Sequence, residues 1–300
     1  MQTPTSTDQL RTALGPITYF WPQAQVRQFY QQAAVCSAPV VYLGETVCSK
    51  RRELRLQDWL AIGQDLQQAG KEVVLSTLTL LEAPGEVREL EQICANGQFL
   101  VEANDISAVQ LLHERGLPFV VGPAVNVYNA TTLAWLVERG LRRWVMPVEL
   151  SRDWLLRVLT DPVITPLRDR FEVEVFAFGH LPLAWSARCF TARSEDRPKD
   201  DCQLCCNKYP QGRQVRSQDG REVFTLNGIQ TQSGQRYNLV DDIDSLRGLV
   251  DVVRISPQPE QTFDWLTAFE QAIGGNPERR QRPVGDVNGY WHQLAGITQV

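Results

Sequence analysis

Six times before residue 160, a short run rich in β-branched or aromatic residues is followed by a stretch with helical periodicity. The runs are ITYFW (17–21), VVYLG (40–44), EVVLS (72–76), FLVEA (99–103), FVVGP (119–123) and RWVMPV (143–148), the pattern of strands buried on both faces. The helical stretches are AQVRQFYQQAA (24–34), LQDWLAIGQDLQQAG (56–70), GEVRELEQICANG (85–97), DISAVQLLHERG (105–116), ATTLAWLVERG (130–140) and SRDWLLRVL (151–159). Several close on glycine, the residue that most readily takes the left-handed conformation at a helix C-terminus. Strand starts about 20 to 33 residues apart leave room for a strand, a crossover helix and two short loops, as a parallel sheet requires.

FEVEVFAFG (171–179) adds a seventh strand, and VDVVRISP (250–257) with EQTFDWLTAFEQAIGG (260–275) adds an eighth strand and its helix. The economical fold is a (β/α)8 TIM-like barrel; the alternative is an open doubly wound sheet. No GxGxxG follows the early strands, which weakens a dinucleotide-binding form of that alternative. Residues 1–14 read as a flexible N-terminus and 15–300 as one barrel domain. An insertion at about 180–245 lies between strands seven and eight, where REVFTLNG (221–228) and QRYNLVDD (235–242) suggest a hairpin lid, and 276–288 reads as a linker.

Seven cysteines are unevenly spread: Cys189 and Cys202 stand thirteen positions apart, with Cys205 and Cys206 directly after. Thiolates crowded in this way suit a soft or borderline metal, either zinc or an iron-sulfur cluster. The segment supplies at least three ligands. Cys48, in LGETVC beyond the second strand, is the natural fourth, because that loop and the insertion emerge on the same barrel face. Cys36 and Cys94 sit at apolar positions of helical stretches and read as core residues. Cys202 and Cys205 form a CxxC with no second CxxC to complete a zinc ribbon, so spacing leaves open both zinc against iron and Cys205 against Cys206.

In a barrel, polar groups at the C-terminal strand ends face a substrate. Glu45, Glu102, Asn104, Asn126, Asn129 and Glu149 occupy such places, each with a helix cap or turn role as its alternative. His180 follows the seventh strand and is the histidine best placed for acid–base work, while His113 and His292 fall in helical stretches and read as surface residues. A net charge of −5 argues against a phosphate-tracking surface, so no nucleic-acid partner is expected. The N-terminus lacks a basic segment followed by an apolar core, and no run of about 18 apolar residues occurs, so a soluble cytoplasmic chain without a transmembrane segment is expected.

The stretch EVEVFAFGHLPLAWSARCFTARSEDRPKDDCQLCCNKYP (172–210), with YLGETVCSKR (42–51), GPAVNVYN (122–129) and the residues around Glu149, resembles the UbiV family within the collagenase-like peptidase superfamily. The resemblance implies a 4Fe-4S cluster on Cys48, Cys189, Cys202 and Cys206, with Cys205 left over. It also implies a role in oxygen-independent ring hydroxylation of ubiquinone precursors, alongside a UbiU partner in a heterodimer and the lipid carrier UbiT, with prephenate as oxygen donor. The ligand would then be a small aromatic or prenylated ring.

Peptidase relatives carry a histidine and an extra cysteine where this chain has Phe178 and Pro182. Neither can ligate or transfer a proton, so proteolysis is not expected. A scaffold held together by a structural cluster and a residual metallopeptidase are the competing functions. Lys50 and Arg188 are candidates for tuning a cluster's charge, with plain solvation as the alternative; Trp185, Trp265 and Trp291 could cover a partner or an isoprenoid tail, but core packing is the expected use of most of them.

Overall fold

The computed structural model describes residues 10–276 and 278–300. Residues 1–9, most of the segment expected to be a flexible end, and Pro277, inside the expected linker, lie outside the described residues. In chain order the elements are β1 (Arg11–Leu14), α1 (Gln23–Val35), β2 (Val40–Leu43), α2 (Leu56–Gln68), β3 (Glu72–Ser76), α3 (Pro84–Cys94) and β4 (Leu100–Ala103). They continue through α4 (Ile106–Glu114), β5 (Phe119–Val121), α5 (Ala130–Glu138), β6 (Leu141–Val145), α6 (Arg152–Leu159), β7 (Glu172–Trp185) and α7 (Phe190–Arg193). Last come β8 (Arg213–Arg216), β9 (Glu222–Asn227), β10 (Gln230–Asn238), α8 (Ile243–Leu246), β11 (Val252–Ile255) and α9 (Thr262–Ile273).

Among the described residues, eight parallel strands, β1 to β7 and β11, pair in sequence, and β11 closes the sheet by pairing with both β1 and β7. The fold is therefore a (β/α)8 barrel, and the closing pairs exclude the open sheet. Most expected helices recur within two residues of their predicted ends, as apolar periodicity over 8 to 13 residues allows. Asp105, Asn129 and Ser151 cap α4, α5 and α6, each accepting a backbone N–H of the first turn.

The first strand differs from expectation. RTAL, assigned to the flexible end, forms β1, with Arg11 opposite Val252 and Leu14 opposite Ile255. ITYFW instead runs irregularly across the barrel's C-terminal end, where its apolar side chains are buried without pairing; the Tyr19 hydroxyl donates to Gln258 at 3.2 Å and the Trp21 indole to the Pro210 carbonyl at 3.4 Å. A run long enough and apolar enough for a strand here covers a loop. Trp265 and Trp291 are core residues, 0% and 1% exposed, as expected of most of the tryptophans.

The barrel lumen has an apolar layer of Ala13, Val40, Tyr42, Val74, Val120, Val145 and Val252, threaded by a chain of charges. Arg143 donates to Glu172 at 2.8 Å, to Glu72 at 2.7 Å and to the Tyr42 hydroxyl at 3.2 Å. Tyr42 donates to Glu174 at 2.5 Å, Arg254 pairs with Glu174 at 2.5 Å and with Glu102 at 2.8 Å, and Ser76 donates to Glu102 at 2.6 Å. Period-two alternation places both sets inward and their strand neighbours, such as Val41, Leu43, Val73 and Leu75, outward against the helices.

β7 is long enough to serve two sheets. Its first half completes the barrel, and its second half pairs antiparallel with β10, which carries β9 and β8 outward. The expected hairpin is thus an extension bonded to the barrel rather than a free lid. Pro182 is tolerated within β7 because the ladder slips beside its partner Gln232. Part of the expected linker is also anchored: Arg236 pairs with Asp286 at 2.9 Å, and Arg282 with Asp242 at 2.8 Å.

Gly44, at the end of β2, has φ +124°, and a Cβ there would lie 2.5 Å from the Ser76 carbonyl oxygen. Gly44→Ala should therefore cost about 1–3 kcal/mol, read as a lowered Tm in thermal unfolding; an unchanged Tm would show that the loop can shift freely.

Candidate metal centre

Two loops on the barrel's C-terminal face carry the cysteines. In the β2–α2 loop, one Glu45 oxygen accepts the backbone N–H groups of Val47 at 2.8 Å and Cys48 at 3.0 Å, closing the turn that presents Cys48. Burial pushes the Glu45 carboxyl up, while Arg51 and these two N–H groups pull it back. Ser49 donates to Glu86 at 2.5 Å and ties the loop to the first turn of α3.

The second loop follows β7. The Cys189 sulfur accepts the Ala192 N–H at 3.4 Å, and the Thr191 hydroxyl next to it accepts the Gly228 N–H at 2.9 Å, fastening α7 to the β9–β10 turn. Gln203 and Leu204 both have positive φ, 46° and 50°, and turn the chain between Cys202 and Cys205. Glu195 binds this segment together through Lys208 at 2.6 Å, Tyr209, and Arg213 at 2.8 Å. Hydrogen bonds from Lys208 and Tyr209 hold its carboxyl down at about 2. The two loops meet where Lys50 donates to the Lys199 carbonyl at 2.7 Å and Lys199 pairs with Glu82.

All seven cysteines are free thiols. Burial pushes the thiols of Cys48, Cys189 and Cys206 up, and their mutual charges add to this: Cys189 acts on Cys48, Cys202 on Cys189, and both Cys189 and Cys202 on Cys206. Arg51 opposes the rise at all three. Burial also raises Cys205, but the cation acting there is Arg197.

Arg51 is 4% exposed, and its guanidinium is fixed by the Thr18 carbonyl at 2.7 Å and the Asn227 side chain at 2.8 Å. Among the described residues, no three His, Cys, Asp or Glu side chains converge closely enough to chelate one ion. Four thiolates on one zinc at about 2.3 Å would have to stand roughly 3.8 Å apart. A cubane holds its ligands further apart, around an inorganic body. Thiol donors beside a buried cation suit a thiolate-bound iron-sulfur cluster or zinc.

The other candidates fall elsewhere. Asn126 is exposed in the left-handed conformation at φ 58°, and Glu149 is exposed, accepting the Tyr128 hydroxyl at 3.1 Å. Half-buried His180 lies within hydrogen-bonding distance of the Ser233 carbonyl, 2.8 Å from Nδ1, and lines an open cavity of about 630 Å³ beside Arg213, Arg236 and Asp286. Burial pushes its ring down, so it is neutral near pH 7. Glu102 and Asn104 line the barrel mouth, and Asn129 serves as a cap. His113 is exposed on α4, and His292 pairs with Asp242 at 2.8 Å.

Phe178 stacks on Trp265 with centroids 5.0 Å apart. Of the two proposed tuning cations, Lys50 is engaged by the insertion's backbone and Arg188 is exposed. The cation at the thiols is Arg51. Its only sequence signal is that it stands three residues after Cys48, where a buried and an exposed arginine read alike.

The profile of peptidase family U32 matches residues 24–273. The tRNA hydroxylation protein P of Escherichia coli (strain K12) is 22% identical over 190 residues, which is 63% of this chain and 40% of that protein, so this chain spans about two fifths of that relative's length. Among solved structures, the U32 peptidase Mk0906 is 14% identical with a TM-score of 0.46, covering 87% of this chain and 97% of that one. An N-acetylneuraminic acid synthetase from Leptospira borgpetersenii serovar Hardjo-bovis is 9% identical with a TM-score of 0.43, covering 92% and 87%. Among the described residues no helix is long and apolar enough to cross a membrane.

Proposed function

The chain belongs to peptidase family U32, and from that premise we propose that it serves hydroxylation rather than proteolysis, as a 4Fe-4S subunit in oxygen-independent hydroxylation of ubiquinone precursors. The observation that supports this reading is that the loop of Cys48 and the insertion with Cys189, Cys202, Cys205 and Cys206 adjoin, Lys50 donating to the Lys199 carbonyl at 2.7 Å, with buried Arg51 close to the thiols of Cys48, Cys189 and Cys206. The absence of a histidine at 178 and a cysteine at 182 supports the departure from peptidase chemistry.

A cluster on four thiolates has no open iron and supplies electron transfer. The chain's own residues prepare for it. Glu45 holds the Cys48 amide, Ala192 donates to the Cys189 sulfur, and Arg51 offsets thiolate charge. The reading includes a UbiU partner, the lipid carrier UbiT and prephenate as oxygen donor, all implied by the resemblance in the cysteine segment.

A second reading is supported by the similarity to a tRNA hydroxylation protein: the hydroxylated substrate would be tRNA. The net charge of −5 weighs against it, since a tRNA surface calls for cations. One experiment separates the two. Cells lacking this chain, grown without oxygen, are expected to lose ubiquinone, accumulate an unhydroxylated prenylated ring and keep their hydroxylated tRNA nucleosides. Normal ubiquinone with loss of the tRNA modification would contradict the first reading and establish the second.

A further inference from the structure

Among the described residues Arg51 Nε is a buried donor without an acceptor, on a side chain whose residue is 4% exposed. A buried donor left unpaired costs about 1–3 kcal/mol, and more when charged. The atom is closed to solvent, so neither a water nor a free solute can pair it. Its acceptor has to come from the chain itself.

The rest of the guanidinium is committed. Nη1 donates to the Thr18 carbonyl at 2.7 Å and Nη2 to the Asn227 side-chain oxygen at 2.8 Å, while the Asn227 amide donates to that same carbonyl at 2.8 Å. Gly228 leaves room for the fork: it has φ +65°, and a Cβ there would lie 2.8 Å from Nη2. Two bonds on a planar, rigid group fix its plane, and with it the direction in which Nε–H points.

The same contacts set the fork between the two cysteine-bearing loops. The Arg51 backbone N–H donates to the Cys48 carbonyl at 3.0 Å, and the Gly228 N–H donates at 2.9 Å to the hydroxyl of Thr191, two residues after Cys189. Arg51 accordingly acts on the thiols of Cys48, Cys189 and Cys206. The carboxylate that competes for it is Glu45, on which Arg51 also acts, but one Glu45 oxygen is taken by the amides of Val47 and Cys48.

We propose that Arg51 Nε–H donates to a cysteine sulfur of the cluster-loaded site and raises the cluster's reduction potential. Arg51 is then a positioning residue for electron transfer. The inference rests on the 4Fe-4S reading and deepens it, because a hydrogen bond to a ligand sulfur favours the reduced cluster, which carries one more electron, over the oxidised one.

Two measurements on protein purified without oxygen test it. In an equilibrium redox titration, Arg51→Lys keeps the positive charge and removes Nε; it is expected to shift the one-electron reduction about tenfold toward the oxidised cluster, a potential lower by about 59 mV. In wild-type protein labelled with nitrogen-15 at arginine Nε, pulsed EPR of the dithionite-reduced cluster is expected to show coupling to that nitrogen, a result that does not depend on the variant's folding. An unchanged potential in Arg51→Lys, no nitrogen coupling, or a cluster that dithionite leaves oxidised would overturn the proposal. Iron and sulfide are measured on the same preparations. A cluster that fails these tests defeats this inference alone, whereas wild-type protein without a cluster defeats the cluster reading and this inference with it.

Discussion

Alanine at Cys48, Cys189, Cys202 or Cys206 is expected to abolish the visible chromophore of protein purified without oxygen, and alanine at Cys205 to leave it. In the proposed site each of the four would supply a quarter of the ligands, and their loops are fixed by separate devices: Glu45 at Cys48, the Ala192 N–H at Cys189, the left-handed turn between Cys202 and Cys205. Cys205 is the exception to examine, because it stands next to Cys206. Its buried side chain feels Cys206 and Cys202 and acts on Cys189, but the cation that acts on it is Arg197, whereas Arg51 acts on Cys48, Cys189 and Cys206. Loss of colour in Cys205→Ala with retention in Cys206→Ala would contradict this ligand set. Because cluster binding is coupled to folding of the segment that holds it, the ligand variants should also expose the loop around residues 189–210 to proteases while the barrel stays intact.

Glu174→Ala is expected to destabilise the barrel by about 3–5 kcal/mol, the usual cost of leaving a buried charge without its partner. At roughly 2–4 °C per kcal/mol for a domain of this size, Tm should fall by on the order of 10 °C. Glu174 is 0% exposed and receives both Arg254 and the Tyr42 hydroxyl, with Arg143 at 3.7 Å, so its removal leaves two arginines short of charge in the lumen. Glu195→Ala offers the contrast. Its ion pairs lie at the surface of the insertion, where such pairs contribute little, and the barrel's Tm should barely move. Similar shifts for the two variants would mean that the lumen network is dispensable.

The barrel was legible because most of its strands and helices obey local rules. β3 matches its expected bounds, and α1 to α6 keep their apolar stripes and, in several cases, a capping Asp, Asn or Ser. β1 was not legible, because RTAL is too short and too polar to announce itself; what makes it a strand is the waiting edges of β2 and β11. The lumen charges were equally silent. Glu72, Arg143 and Arg254 read as the ends and interruptions of apolar runs, and only closure of the barrel puts them in reach of one another. At the candidate centre the crowded cysteines carried their own signal, whereas Arg51 did not: its burial belongs to the fold.

The central claim is that this chain carries a 4Fe-4S cluster, and the most direct measurement is iron and acid-labile sulfide per chain, with the visible spectrum, on protein purified without oxygen. About four irons and four sulfides per chain with a broad visible absorption are expected. Colourless protein carrying about one zinc per chain would contradict the account and turn the same thiols into a structural zinc site.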